Sequence, residues 1–174
     1  MMRSILTALV AVVIPLLVTA CSSNTSPGAM TAVPYGQAKP NPRLAGAMSV
    51  GTVAGGQETN PLWTSQVDNE SFRQALTNSL RAYGYLAPSA DRASYSLDAN
   101  LMSLDQPFIG FDFDVTSTVN YTLRGQGTER SYPVTAVGTG RMSDSVAAVI
   151  RLKVANERSI KANIEKLLNE LQGF

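Results

Sequence analysis

Phe111-Asp112-Phe113-Asp114-Val115-Thr116-Ser117-Thr118-Val119-Asn120-Tyr121-Thr122-Leu123-Arg124 alternates without a break. Phe111, Phe113, Val115, Ser117, Val119, Tyr121 and Leu123 share one parity, and Asp, Thr, Asn and Arg share the other. Side chains of a strand project to opposite faces in turn, so this period predicts a strand with one dry and one wet face. Gly125-Gln126-Gly127 then predicts a turn. Tyr132 to Met142 returns antiparallel, with Tyr132, Val134, Ala136 and Met142 inward and a bend or bulge near Gly138 and Gly140.

Upstream, Tyr95 to Ser103 alternates in the same way, and Ala47 to Val53 reads as a first strand closed by Gly55-Gly56. Between them Phe72, Ala75, Leu76, Leu80 and Tyr83 recur at helical spacing behind a cap at Asp68 or Asn69. Gly84 stands where a left-handed helix terminus belongs, and Tyr85 can fold back on the last turn. The C-terminal stretch predicts a helix from Ser143 or Asp144 to Leu171. Its apolar face is Val146, Val149, Ile150, Val154, Ile160, Ile164, Leu167, Leu168 and Leu171. Arg151, Lys153, Glu157, Arg158, Lys161, Glu165, Lys166 and Glu170 fall on its wet side, with Glu157 and Lys161 in the favourable i,i+4 order. The order β-α-β-β-β-α, with one apolar face on each element, predicts an α+β two-layer sandwich. A mostly antiparallel four-stranded sheet carries two helices on one face, and its polar face is open to water or a partner.

The chain has 174 residues, 14 basic and 13 acidic, with one cysteine and no histidine. Catalysis of Ser/His/Asp or Cys/His type, Cys/His zinc sites and an intramolecular disulfide are thereby excluded. The even charge balance offers no field for nucleic acid. Neither GxGxxG nor a Walker pattern is present, so no phosphate cradle or cofactor is expected.

Arg3 is followed by an apolar run from Ile5 to Val18, broken by Thr7 and Pro15. The run is shorter than the roughly 20 residues a spanning helix needs, and it predicts a signal peptide over residues 1–20. Val18-Thr19-Ala20-Cys21 resembles the lipobox of bacterial lipoproteins, in which cleavage falls between the equivalents of Ala20 and Cys21. The resemblance implies a diacylated Cys21 and membrane attachment through the N-terminal lipid. Ser22 stands where lipoproteins retained in the inner membrane of Gram-negative bacteria commonly carry Asp. The same resemblance therefore implies the outer membrane, with the domain facing the periplasm. Loss of Arg3 leaves 13 basic residues against 13 acids.

Residues 21–44 are rich in Ser, Pro and Gly and predict a flexible tether. By the square-root rule it would span roughly 25 Å. An alternative is an ordered arm pairing through Val33 and Tyr35. A single α+β periplasmic domain is expected over 45–174.

Several candidate sites arise inside that domain. Gly55 to Gln66 is a long connection holding the only tryptophan, and it makes Asn60, Pro61, Leu62 and Trp63 a candidate partner contact. Asp112 and Asp114, with Asp105, could face a hard cation, but on a strand the spacing is that of a wet face. The tyrosines fall mostly on inward positions. Arg151, Lys153 and Arg158 are interleaved with acids and read as a mixed soluble surface.

Lipobox, tether and β-α-β-β-β-α order, with Phe72, Leu76, Leu80, Gly84 and Tyr85 on and after the first helix, resemble small periplasm-facing lipoproteins. These include YajG-like lipoproteins, the lipopolysaccharide-assembly lipoprotein and the auxiliary lipoproteins of ABC-type lipid transport systems. The resemblance covers roughly Ala45 to Leu171. It implies a non-enzymatic adaptor or accessory in envelope assembly or lipid transport, with an envelope protein as partner and no oligomeric state specified. The alternative is a lipid- or small-molecule-binding module with a pocket between sheet and helices.

Overall fold

The computed structural model describes residues 25–59, 65–107 and 109–174. The elements run α1 (Pro27–Met30), β1 (Met48–Ala54), α2 (Asn69–Ala82), β2 (Tyr95–Asp105), β3 (Phe113–Gly125), β4 (Thr128–Gly140) and α3 (Ala148–Leu171). A 3-10 turn at Ala90–Arg92 precedes β2. The sheet order is β1-β2-β3-β4, parallel between β1 and β2 and antiparallel elsewhere. This is the expected α+β sandwich, with the short α1 added to the two anticipated helices.

The central strand follows its alternation. Phe113, Val115, Ser117, Val119, Tyr121 and Leu123 are buried. Phe111, expected on the same dry parity, precedes the strand and is 83% exposed. Gln126 and Gly127, both at positive φ (50° and 71°), form a two-residue reversal whose twist matches the flanking strands.

Register between β3 and β4 is uninterrupted from Phe113↔Gly140 to Gly125↔Thr128, so the expected bulge at Gly138 and Gly140 is absent. Those glycines serve the helix instead. A Cβ on Gly138 would strike the Ser159 amide nitrogen and the Ala155 carbonyl, and one on Gly140 would strike the Arg151 carbonyl. The helix backbone lies directly on the end of β4. Register shifts occur at Val50/Val53 in β1 and at Leu101/Ser103 in β2.

Helix α2 is capped by Asp68, whose carboxylate accepts from the Ser71 amide at 2.7 Å. Phe72, Ala75, Leu76 and Leu80 face the core. Gly84 sits at φ +75°, and the Tyr85 amide returns to the Leu80 carbonyl at 2.8 Å, as the spacing predicts.

Helix α3 begins at Ala148, later than expected, and Ala147 at its N-cap makes no side-chain cap. Asp144 is engaged elsewhere: it accepts from the Arg141 amide and from Arg158. Close contact with Gly138 and Gly140 also rotates the first turns away from the expected apolar face. Arg151, Ala155, Ser159, Asn163, Leu167 and Leu171, each four residues on, line one buried ridge, beside Asn156, Ile160, Ile164 and Leu168. Val146, Val149 and Ile150 are left outside at 86%, 56% and 46% exposure, and Met142, expected inward, is 42% exposed. Arg151 and Glu157, expected on the wet side, are buried, and Glu157 pairs with Lys153 at 2.7 Å rather than with Lys161.

The described part of the segment expected as a tether, from residue 25, packs on the domain at Met30, Ala32 and Leu44. Met30, Ala32 and Leu44 are fully buried in the main core, whereas Val33 and Tyr35 of the alternative arm are exposed. The arm lies against both helices. The Ser26 amide donates to Glu157 Oε1 at 2.7 Å, the Ala32 amide donates to Ser79 Oγ at 2.9 Å, and the Asn41 amide donates to Tyr85 Oη at 3.3 Å. A few apolar side chains in a Pro- and Ser-rich stretch suffice because the groove that takes them is already walled.

Candidate functional site

The ends of the sandwich differ. At one, β3 meets β4 through Gln126-Gly127, and Phe174 packs edge-on against Tyr95 with ring centroids 5.6 Å apart. At the other, the β1–α2, β2–β3 and β4–α3 connections gather beside the first turns of α3, and polar ties hold them. Asn156 and Gln106 both donate to the Ser65 carbonyl at 2.9 Å, and Gln106 also donates to Asn156 Oδ1 at 3.0 Å. Thr59 closes the base of the β1–α2 connection, its hydroxyl donating to the Gln66 carbonyl and accepting from the Gln66 amide. Asp112 Oδ1 accepts from the Met142 amide at 3.0 Å, tying the other two connections together.

Arg151 organises the turn into α3. Its guanidinium lies 5.1 Å from the Phe113 ring centroid and donates to the Ser145 and Val146 carbonyls at 3.0 and 2.8 Å. Arg158 grips Asp144 with both amino groups at 2.6 and 2.8 Å and reaches the Thr139 carbonyl. The Arg158 hydrogen bonds, with that of the Arg141 amide, draw the Asp144 pKa down to about 2.

On this frame Ile109 (91% exposed) and Phe111 (83%) project from the β2–β3 connection, beside Met142, Val146, Val149 and Ile150. Most of the large apolar side chains exposed among the described residues therefore lie at this one end. Exposed large apolar side chains gathered at one end are a feature of surfaces that meet a protein or a lipid surface.

The other exposed large apolar side chains among the described residues are Val33, Tyr35, Met102 and Val137. On the open sheet face Thr118 pairs with Thr135, Ser131 with Asn120, and Arg124 with Asp98 and Glu129. Asp114 accepts from Thr139 at 2.6 Å as part of the same wet face. Among the described residues no group of three or more acidic or cysteine side chains is placed to hold a metal. The space between sheet and helices is filled by Phe72, Leu76, Leu80, Leu97, Tyr121, Leu123, Ile160 and Ile164, all fully buried, where the alternative reading required a pocket.

Beneath α3 lies a polar seam that alternation alone does not reveal. Tyr121 donates to Asn163 Oδ1 at 2.9 Å, and Ser159 donates to Ser117 Oγ at 2.8 Å. Asn163 Nδ2 donates to Ser117 and to the Val134 carbonyl. Every member is dry, and burial raises the Tyr121 pKa. Two carbonyls of β4 are also occupied: Lys166 takes that of Thr135 and Arg158 that of Thr139. With Pro133 lacking an N–H, this edge strand is a poor template for further pairing along that stretch.

The sequence-derived candidates Ala20, Cys21, Asn60, Pro61, Leu62 and Trp63 lie outside the described residues. What is described is the frame on both sides of them, Thr25 at one point and Thr59 and Ser65 at the other. The exposed apolar end was hidden in the sequence because Val146, Val149 and Ile150 match a buried helical stripe. Among the described residues no helix is long and apolar enough to cross a membrane.

No protein-family model matches the chain, and no curated protein matches it in sequence. Solved structures do resemble it. A candidate lipoprotein from Caulobacter crescentus CB15 superposes with a TM-score of 0.47 at 17% identity, over 71% of this chain and 88% of that one. A Xanthomonas campestris protein of the DUF330 family gives a TM-score of 0.43 at 14% identity, over 82% and 92%. A hypothetical protein from Chlamydia trachomatis gives 0.46 at 9% identity, over 74% and 94%. Likenesses this distant assign neither a family nor an activity to the chain.

Proposed function

We propose that the chain is a lipid-anchored lipoprotein of the bacterial outer membrane, its domain facing the periplasm as a non-enzymatic accessory in envelope assembly or lipid transport. The observation that carries this reading is Val18-Thr19-Ala20-Cys21 closing an apolar run behind Arg3, with the only cysteine of the chain at the acceptor position. Two acyl chains, at about 0.8 kcal/mol per buried methylene, anchor a folded domain stably. The lack of histidine and the filled space between sheet and helices favour an adaptor over an enzyme or a ligand carrier. We assign partner contact to Asn60, Pro61, Leu62 and Trp63.

The test is a Cys21→Ser variant expressed in a Gram-negative host. Wild type is expected in the outer-membrane fraction with a mass increment for acylation, and the variant without that increment and absent from the outer membrane. A wild-type chain without the increment, or a variant that reaches the outer membrane as fully as wild type, overturns the anchor. A photo-crosslinker at Trp63 is expected to capture one dominant envelope protein, and its absence from the crosslinked products overturns the contact assignment.

A further inference from the structure

We propose that the apolar end formed by Ile109, Phe111, Met142, Val146, Val149 and Ile150 rests on the lipid surface that holds the Cys21 acyl chains. The inference depends on the lipoprotein reading and goes beyond it, because anchoring alone leaves the orientation of the domain free.

How far the domain can wander depends on the length of its leash. A free tether ending at residue 44 would let the domain wander. Instead Thr25 is 2% exposed, the Ser26 amide is bonded to Glu157, and Met30 and Ala32 are buried. Cys21 stands four residues before Thr25, so the leash between them measures at most about 14 Å at full extension. A bilayer holding the acyl chains must therefore come close to the point where the arm meets α3.

That point is close to the apolar end. Glu157, Lys153, Ile150 and Val149 stand on one side of α3, at relative positions i, i−4, i−7 and i−8. Two helical turns, about 11 Å, separate the Ser26 attachment from Ile150, which is within the reach of the leash. Val146 and Met142 continue the surface, and Phe111 and Ile109 join it through the Asp112–Met142 hydrogen bond. The opposite end lies beyond that reach: Leu171, where α3 ends, is 14 residues or about 21 Å along the helix from Glu157. Large apolar side chains at the tips of connections can enter the headgroup boundary at little cost to the fold, because they are already outside the core.

The test uses the full-length lipidated protein purified from membranes and reconstituted into phosphatidylethanolamine/phosphatidylglycerol vesicles. Acylation occupies Cys21, so Val149→Cys or Phe111→Cys supplies the single free thiol for an environment-sensitive fluorophore. Arg92→Cys, in the 3-10 turn at the opposite end, is the control. The label at 149 or 111 is expected to shift to the blue on reconstitution and to be quenched by brominated acyl chains, while the label at 92 does neither. An acylated protein that floats with vesicles but keeps all labels in water overturns the docking and leaves the anchor standing; it would also point to a protein occupant for this end. A chain without acylation overturns both.

Discussion

Tyr121 on the central strand donates its hydroxyl to Asn163 of the C-terminal helix at 2.9 Å, and neither side chain has any solvent exposure. The bond joins strand and helix inside the core, and Asn163 passes it on to Ser117 and to the Val134 carbonyl. A dry polar seam of this kind specifies one register of helix on sheet, because any slip would leave several groups unpaired.

Tyr121→Phe removes the hydroxyl and leaves Asn163 Oδ1 without that partner. The expected cost is about 1–3 kcal/mol. Thermal unfolding followed by circular dichroism should fall by roughly 2–4 °C for each kcal/mol in a chain of this size. Asn163→Ala should cost more, since it strips Tyr121, Ser117 and Val134 at once. A Tyr121→Phe protein as stable as wild type would show that the bond contributes nothing net.

Gly138 and Gly140 carry the contact between strand and helix backbone. Gly140→Ala would press a methyl group against the Arg151 carbonyl, which can move only with the helix. Overpacking of this kind typically costs about 1–3 kcal/mol. Gly127→Ala is the comparison, because that turn glycine has positive φ but open space around it. Urea midpoints should rank Gly140→Ala below Gly127→Ala; the reverse order would mean that α3 does not sit this close to β4.

Asp144 links acid sensitivity to the β4–α3 connection. Its folded pKa of about 2 lies below the ordinary 3.8, so the group adds stability above the unfolded value. That contribution disappears as pH falls from about 3.8 toward 2. Asp144→Asn should therefore lower the melting temperature at pH 6, and the gap to wild type should close near pH 2. A gap independent of pH across that interval would remove the Arg158 pairing as its cause.

The strands were legible because burial of one sheet face writes a period of two into the chain, from Tyr95 to Leu101 and again from Phe113 to Leu123. Helix α2 was legible for the corresponding reason, with an apolar stripe between the Asp68 cap and Gly84. The first half of α3 was not. Its inner ridge carries Arg151, Asn156, Ser159 and Asn163, which hydropathy assigns to the outside, while Val149 and Ile150, which hydropathy assigns to the inside, face out. The packed arm escaped for a similar reason: Met30 and Ala32 are too sparse to announce burial until the groove between α2 and α3 exists.

The amino-acid sequence alone determined the α+β class, the order of the four strands and two long helices, the turn at Gln126-Gly127 and the lipobox resemblance at Cys21. Each depends on local periodicity or on adjacent residue types. Only the tertiary structure decided which side of α3 faces the sheet, that the N-terminal arm packs against both helices, and that one end of the molecule is apolar. Those outcomes depend on groups far apart in the chain: two glycines on β4 that admit a helix backbone, a buried seam that satisfies its polar atoms, and Glu157 accepting from an amide 131 residues away. Hydrophobic patterning measures what each segment could bury, whereas the fit between segments settles what is buried.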